Sequence, residues 1–259
     1  MKTAIERYTY SSLVDESINR KQHKNCDYTA SITGTKRFTQ TESFEEAVDF
    51  AKSGWDLGLK EYKIDDGLLV GGVTELSPSL AGCIPHVQNH IMGFPEEMYS
   101  LYDNREYNLP TLDIVVNIAY SAGLNSKYAL SFGKSIVNYI NTMASSYNIR
   151  LTGIIGQNLS HSEQKVFYLI TLKDFDSALV INNIAFAFHP SFFRRLWFSI
   201  FEGKEYWQSG YGSPVDNVAK AYRESVGGDK ADKTVIFKGL NDLHSYEFTP
   251  DNINSFLEK

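Results

Sequence analysis

The chain has 259 residues, a formal net charge of -6, 42% hydrophobic residues and 22% charged ones. That balance is globular and excludes disordered, collagen-like and coiled-coil classes. A strongly electrostatic nucleic-acid binder carries a basic excess, which is missing here, so nucleic-acid binding would have to rest on a local patch and on stacking.

Charge is unevenly spread: residues 1–110 carry 11 Lys and Arg against 17 Asp and Glu, and residues 111–259 carry 14 against 14. Cys26 and Cys83 have no partner at metal-ligand spacing, so neither a disulfide framework nor a zinc site is expected. The amino-terminal residues hold no apolar run and no membrane-length apolar window occurs, which points to a cytoplasmic chain with no membrane partner.

In chain order, Tyr10, Leu13, Val14 and Ile18 have helical spacing over 9–19. Ser43 opens a second helix with Glu46 three positions on, as in a capping box, and Gly54 stops it. From Trp55 to Leu109 glycines and prolines break the chain into short strands and turns, with Leu68 to Val73 a candidate strand. A boundary is placed near Pro110, dividing a loop-rich α+β part, 1–109, from an α/β domain, 110–259.

The second part opens with Leu112 to Ala119, a β-branched run typical of a strand buried on both faces. A helix follows from about Asn125 to Tyr147, then strands at Ile149 to Ile155 and Lys165 to Leu172. A helix capped by Asp176 or Ser177 must stop near His189, because Pro190 disfavours helix in its predecessor, and Pro190 can start the next helix to about Phe201. Val215 to Ser225 is a further helix, Thr234 to Phe237 a strand, and Thr249-Pro250 caps a last helix to Leu257. The order is that of an α/β, Rossmann-type sheet with crossover helices.

Asn117-x-Ala119-x-Ser121 closes the first apolar strand where von Willebrand factor A domains place the Asp-x-Ser-x-Ser motif of their metal site. The stretch Ile184 to Phe198, with His189-Pro190-Ser191 before Arg194-Arg195, resembles the signature of an uncharacterised, mostly phage-borne family with a degenerate von Willebrand factor A-like core. The resemblance implies that kind of sheet and a host-cytoplasmic setting. It implies no working metal: Asn117 stands where the motif has a carboxylate and Ala119 removes a hydroxyl, leaving Ser121 alone as a hard oxygen ligand. No cofactor, metal or catalytic residue is expected.

Other constellations have ordinary explanations. His86 and His90 are four apart but lack helix and third ligand. His161 between Ser160 and Ser162 has no nucleophile elbow. Gly71-Gly72 and Gly153-x-x-Gly156 lack the residues of a phosphate loop, Asp65-Asp66-Gly67 reads as a turn, and Asp174 with Asp176 reads as a helix start.

The aromatic residues, 3 Trp, 16 Tyr and 16 Phe, are not evenly spread: ten of the 26 residues from Phe186 to Tyr211 are aromatic. Phe193, Trp197 and Phe201 share a helix face and belong to the core. Arg194 and Arg195 point about 100° apart on an α-helix, so at least one is expected at solvent or a polar partner. With Trp197, Tyr206, Trp207 and Tyr211, the pair would make a stacking platform for single-stranded DNA or an anchor for a protein. The expected function is a non-enzymatic phage binding or adaptor protein that binds single-stranded DNA and recruits a phage or host replication or transcription protein. The alternative is an enzyme using Asp174, Asp176, His161 or His189 in a cleft between the two parts.

Overall fold

The structure, a computed structural model, describes residues 3–20, 36–55, 58, 75–79, 84–85, 87–93, 98–102, 109–121, 123–159, 164–177, 181–205, 213–215, 218–226, 231–240 and 257. The first strand, β1 (Thr3–Thr9), runs into a capping box. The Thr9 hydroxyl accepts from the Ser12 N–H and the Ser12 hydroxyl accepts from the Thr9 N–H, starting α1 (Tyr10–Asn19). A single turn, α2 (Lys36–Thr39), precedes α3 (Phe44–Ser53). Ser43 Oγ accepts from the Glu46 N–H as the spacing predicts, while the Glu46 carboxylate accepts from Glu42, one residue earlier than a capping box requires. Gly54 then turns the chain at φ 87°, and an added Cβ there would lie 2.7 Å from Asn182 Cβ.

A small antiparallel sheet follows, β2 (Glu75–Ser79), β3 (Ile84–Pro85) and β4 (Met98–Tyr102) in the order β2-β4-β3, with α4 (Val87–Met92) inserted. The chain continues through β5 (Thr111–Asn117), α5 (Ser126–Ala144), β6 (Asn148–Asn158) and β7 (Lys165–Lys173). Next come α6 (Ile181–Ala187), a π-helical segment (Phe192–Trp197), α7 (Phe198–Glu202), β8 (Ser213–Pro214), α8 (Ala219–Val226) and β9 (Lys233–Phe237).

The main sheet has the order β1-β7-β6-β5-β9, with the two-residue β8 added at the end of β6. β6, β5 and β9 are mutually parallel, and β7 is antiparallel to β6 and parallel to β1. Residues 159–164 are too few for a crossover, so β6 and β7 form a hairpin within an otherwise crossover-connected sheet. Numbered from β5, the strands β7-β6-β5-β9 read 3-2-1-4, the doubly wound order, and the carboxyl end of β5 is its switch point.

One face of this mixed α/β sheet packs Leu112, Ile114, Val116, Leu151, Tyr168 and Ile170 against α1, α3, α5, α6, the π segment and α7. The other face packs Val115, Ile154, Phe167 and Leu169 on Val218, Ala221 and Tyr222 around α8. Beneath α8 the buried Asp113 accepts two hydrogen bonds from Arg150, at 2.7 and 3.0 Å, and one from the Tyr222 hydroxyl at 2.8 Å. Burial, together with that contact to Asp113, pushes the Tyr222 phenol upward.

The boundary expected at 109/110 does not divide the core. β1 is an edge strand of the main sheet, and Leu13, Phe38, Phe44, Ala47 and Trp55 are buried in the same cluster as β5 and β6. The expected strand at 68–73 and helix at 249–257 fall outside the described residues, except that Leu257 bridges to Phe237. No described helix is long and apolar enough to cross a membrane.

Candidate binding cleft at the end of the central strand

In a doubly wound sheet, ligands bind outside the carboxyl ends of the strands at the switch point. Here β5 ends at Asn117, whose side chain is buried and doubly committed. Its amide oxygen accepts from the Ala119 N–H at 3.1 Å and its amide nitrogen donates to the Val215 carbonyl at 3.0 Å. Gly239 lies so close that a Cβ there would sit 2.7 Å from Asn117 Nδ2. Ser121 is exposed, and its carbonyl accepts from Arg194 Nη2 at 3.3 Å. The donor set does not fit a divalent metal. One oxygen of the motif is absent at Ala119, and the amide oxygen of Asn117 is spent on its own backbone. Among the described residues no group of three His, Cys, Asp or Glu side chains is placed to hold a metal ion.

Beside Asn117 a cleft opens between the end of β5, α5 and the end of α6, lined by Ile118, Ala119, Tyr120, Phe132, His189 and Phe193 among others. Its empty volume is about 290 Å³ counted out to the mouth, and the enclosed part has room for about one water molecule. Three alanines, Ala119, Ala129 and Ala187, line it. Two polar side chains on its wall have distinct states. The His189 imidazole packs against Trp55 and Phe186, with ring centroids 4.5 and 5.7 Å away. Its Nδ1 accepts from the Ser191 N–H at 3.2 Å and lies 2.6 Å from Ser191 Oγ, which assigns the ring proton to Nε2 on the opposite edge. Burial pulls its pKa down to about 3, so the ring is neutral at neutral pH. Tyr120 is 7% exposed, and its hydroxyl has no hydrogen-bond partner among the described residues. Burial pushes the phenol up to about 12, against the smaller opposing pull of the Arg194 guanidinium, whose Cζ lies 4.8 Å from the ring centroid.

A family model described as a domain of unknown function (DUF7192) matches residues 4–259. The chain belongs to that family. No curated protein and no solved structure matches it significantly. The match of the DUF7192 model runs through both sides of residue 110, as the core does.

In this DUF7192 chain the expected stacking platform is not at the surface where the structure describes it. Arg194, Arg195 and Trp197 are 2%, 0% and 0% exposed. Arg194 donates to the carbonyls of Phe38 at 2.6 Å and Leu124 at 2.9 Å and to Ser126 Oγ at 3.3 Å, and its Cζ stacks 3.9 Å from the Phe38 ring centroid. Arg195 donates to Thr41 Oγ1 at 2.7 Å and to the Thr41 carbonyl at 3.0 Å. Trp197 stacks between Phe193 and Phe201 and meets Tyr168 edge-on. The expected polar partner of the arginines is thus the chain's own backbone. Burial of these guanidiniums is tolerated because carbonyl and hydroxyl oxygens replace water around them.

Tyr206, Trp207 and Tyr211 lie outside the described residues, as do Ser160, His161 and Ser162. Asp174 and Asp176 are exposed at the end of β7, where Lys173 pairs with Leu151 near the start of β6. Leu112, at the start of β5, pairs with Ile149, so this is the end of the sheet opposite Asn117 and His189. The structure does not bring that carboxylate pair together with His189. Tyr120 escaped the sequence reading, although it stands between Ala119 and Ser121 in the strand-end motif.

Proposed function

We propose that the protein is a metal-independent, non-enzymatic binding domain on a von Willebrand factor A-like sheet, acting as an adaptor through the carboxyl end of β5. One observation carries the metal-independent part of this reading: both polar atoms of Asn117 are hydrogen-bonded to the chain itself, at the position where the resembling fold holds its metal; the adaptor role rests on the sequence resemblance. The 3-2-1-4 strand order around β5 supports the fold assignment. Of the two partner classes, a protein is favoured over single-stranded DNA. Arg194 through Nη1 and Nη2, and Arg195 through Nε and Nη2, donate to internal oxygens from buried positions and cannot also neutralise phosphates, and the net charge is -6. A phage or host replication or transcription protein as that partner rests on the sequence resemblance alone.

The test is thermal unfolding of the full chain with Mg²⁺ or Mn²⁺ up to about 10 mM, where a specific site would raise the midpoint by mass action. No rise is expected, and a rise of several degrees would overturn the reading. Fluorescence anisotropy with single- and double-stranded oligonucleotides decides the partner class. Binding tighter than about 10 μM at low salt would restore nucleic acid, since nonspecific contacts at that level require exposed cations.

A further inference from the structure

We infer that the exposed apolar face of α4 is a docking surface for a cationic amphipathic helix of another protein. Among the described residues, the large hydrophobic side chains left in solvent are Val87, Ile91 and Met92, which are 62%, 76% and 64% exposed. A single exposed apolar side chain is ordinary, but these three fall within the six consecutive residues of one helix. Val87 and Ile91 are four positions apart and share a face, and Met92 continues it about 100° further round. Anchors spaced in this way are those through which helices recognise an apolar partner face, and the unbranched thioether of Met92 adapts to the shape it meets.

Charge selects what covers the face. Residues 55–110, which include β2, β3, α4 and β4, carry 9 Asp and Glu against 3 Lys and Arg, whereas residues 1–54 carry 8 against 8 and residues 111–259 carry 14 against 14. The whole net charge of -6 therefore belongs to the segment that presents the apolar helix. Part of it is held close. Glu96 and Glu97 directly precede Met98, whose backbone pairs with that of Pro85, two residues ahead of Val87. Chain length alone keeps both within about 20 Å of Val87, inside the Debye length of about 30 Å at 0.01 M salt. A second copy of the chain would set -6 against -6, and an anionic membrane or a nucleic acid would meet the same repulsion. A helix with Lys or Arg beside an apolar stripe is drawn in by that charge and removes the three side chains from water. The face belongs to the small antiparallel sheet and not to the end of β5, so this inference and the metal-independent reading of that end stand or fall separately.

Three amidated peptides of about 14 residues serve as probes for the full chain: one of Lys and Leu at amphipathic helical spacing, one with every Lys replaced by Glu, and one with every Leu replaced by Ser. Affinities are read by calorimetric titration, and the place of binding by methyl NMR of Val, Ile and Met. The Lys/Leu peptide is expected to bind with a dissociation constant on the order of 50 μM at 0.01 M salt, at least about tenfold tighter than either of the others, and to weaken about fivefold at 0.2 M. Its largest methyl shifts should fall on Val87, Ile91 and Met92, a readout that needs no variant. Ile91→Gln combined with Met92→Gln places polar, helix-favouring side chains at exposed positions, so that variant should melt like the wild type and bind about tenfold more weakly. Glu96→Gln combined with Glu97→Gln should weaken binding about threefold at 0.01 M salt and leave it unchanged at 0.2 M. The inference is overturned by no binding of the Lys/Leu peptide at about 1 mM, by equal binding of the Glu/Leu or the Lys/Ser peptide, by methyl shifts that spare α4, or by unchanged affinity in the double glutamine variant of α4. A dimer of the full chain at about 100 μM that the same variant dissolves would also overturn it, and would assign the face to a second copy.

Discussion

Arg194 and Arg195 show how little a residue's chemistry says about its address. Arginine next to tryptophan is what an interface anchor is made of, yet here each guanidinium ties α2 and the turn after it to the second half of the chain. Removing either side chain leaves buried carbonyls without donors and takes away a packed stem. Arg194→Ala and Arg195→Ala should therefore each cost about 3 kcal/mol in urea unfolding, and Arg194→Lys should recover little, since one ammonium cannot reach Phe38, Ser121 and Leu124 at once. A variant as stable as the wild type with altered partner binding would return that arginine to the surface. His189 gives the second residue-scale prediction. In the unfolded chain its imidazole protonates below pH about 6.5, whereas in the folded chain it stays neutral down to about pH 3. The unfolded state thus binds the extra proton in that window, and stability falls as pH falls through it. Relative to His189→Gln, the wild type should lose about 3 kcal/mol between pH 7 and pH 4, read from urea midpoints. Parallel pH profiles for the two proteins would show that the ring titrates normally.

Elements with a strong local signal were legible in the sequence. The Ser43 cap and Gly54 stop fix α3, the β-branched run fixes β5, Asn125 caps α5, and the apolar run from Lys165 fixes β7. β1 was not legible, because Thr3 to Thr9 mixes Glu6 and Arg7 with Ile5 and Tyr8, as an edge strand can, and shows no apolar face. The π-helical turn was not legible either. Arg194 and Arg195 both sit in it, and both guanidiniums reach residues 38–41, Arg194 the Phe38 carbonyl and Arg195 the Thr41 hydroxyl and carbonyl. At the candidate site the sequence showed that Ala119 removes a metal ligand but not that it leaves room, which only the approach of α5 and α6 creates. The end of β5 is held just as closely from the β9 side. In Gly239→Ala the new Cβ would sit 2.7 Å from Asn117 Nδ2 and 3.0 Å from the Ala119 carbonyl. That should displace the Asn117 to Val215 hydrogen bond and cost about 2 kcal/mol, as overpacking does, in a thermal or urea melt. An unchanged melt would mean that the turn after β9 yields freely.

At the scale of the molecule, the change of composition near residue 110 divides the sequence but not the core. The fragment 110–259 would keep β5, β6, β7 and β9 yet lose β1 from the edge of β7 and α1 to α3 from the face they share with α5, α6, the π segment and α7. Tyr168, Phe192 and Phe186 would lose the rings of Tyr8, Tyr10 and Phe50 packed on them, and Arg194 and Arg195 would lose the acceptors at Phe38 and Thr41. Two guanidiniums left near a partly uncovered apolar face disfavour collapse onto it, since Arg195 would be buried without Thr41 and Arg194 without the Phe38 carbonyl, or would drag water into the core. We therefore expect the isolated fragment to lack a cooperative thermal transition, to bind a hydrophobic dye such as ANS and to show narrow NMR dispersion, while the full chain melts cooperatively with dispersed signals. A fragment that melts cooperatively and keeps dispersed methyl signals would mean that the second part carries a sufficient core of its own. The arginine pair would then be a docking contact between two folded bodies rather than a part of one.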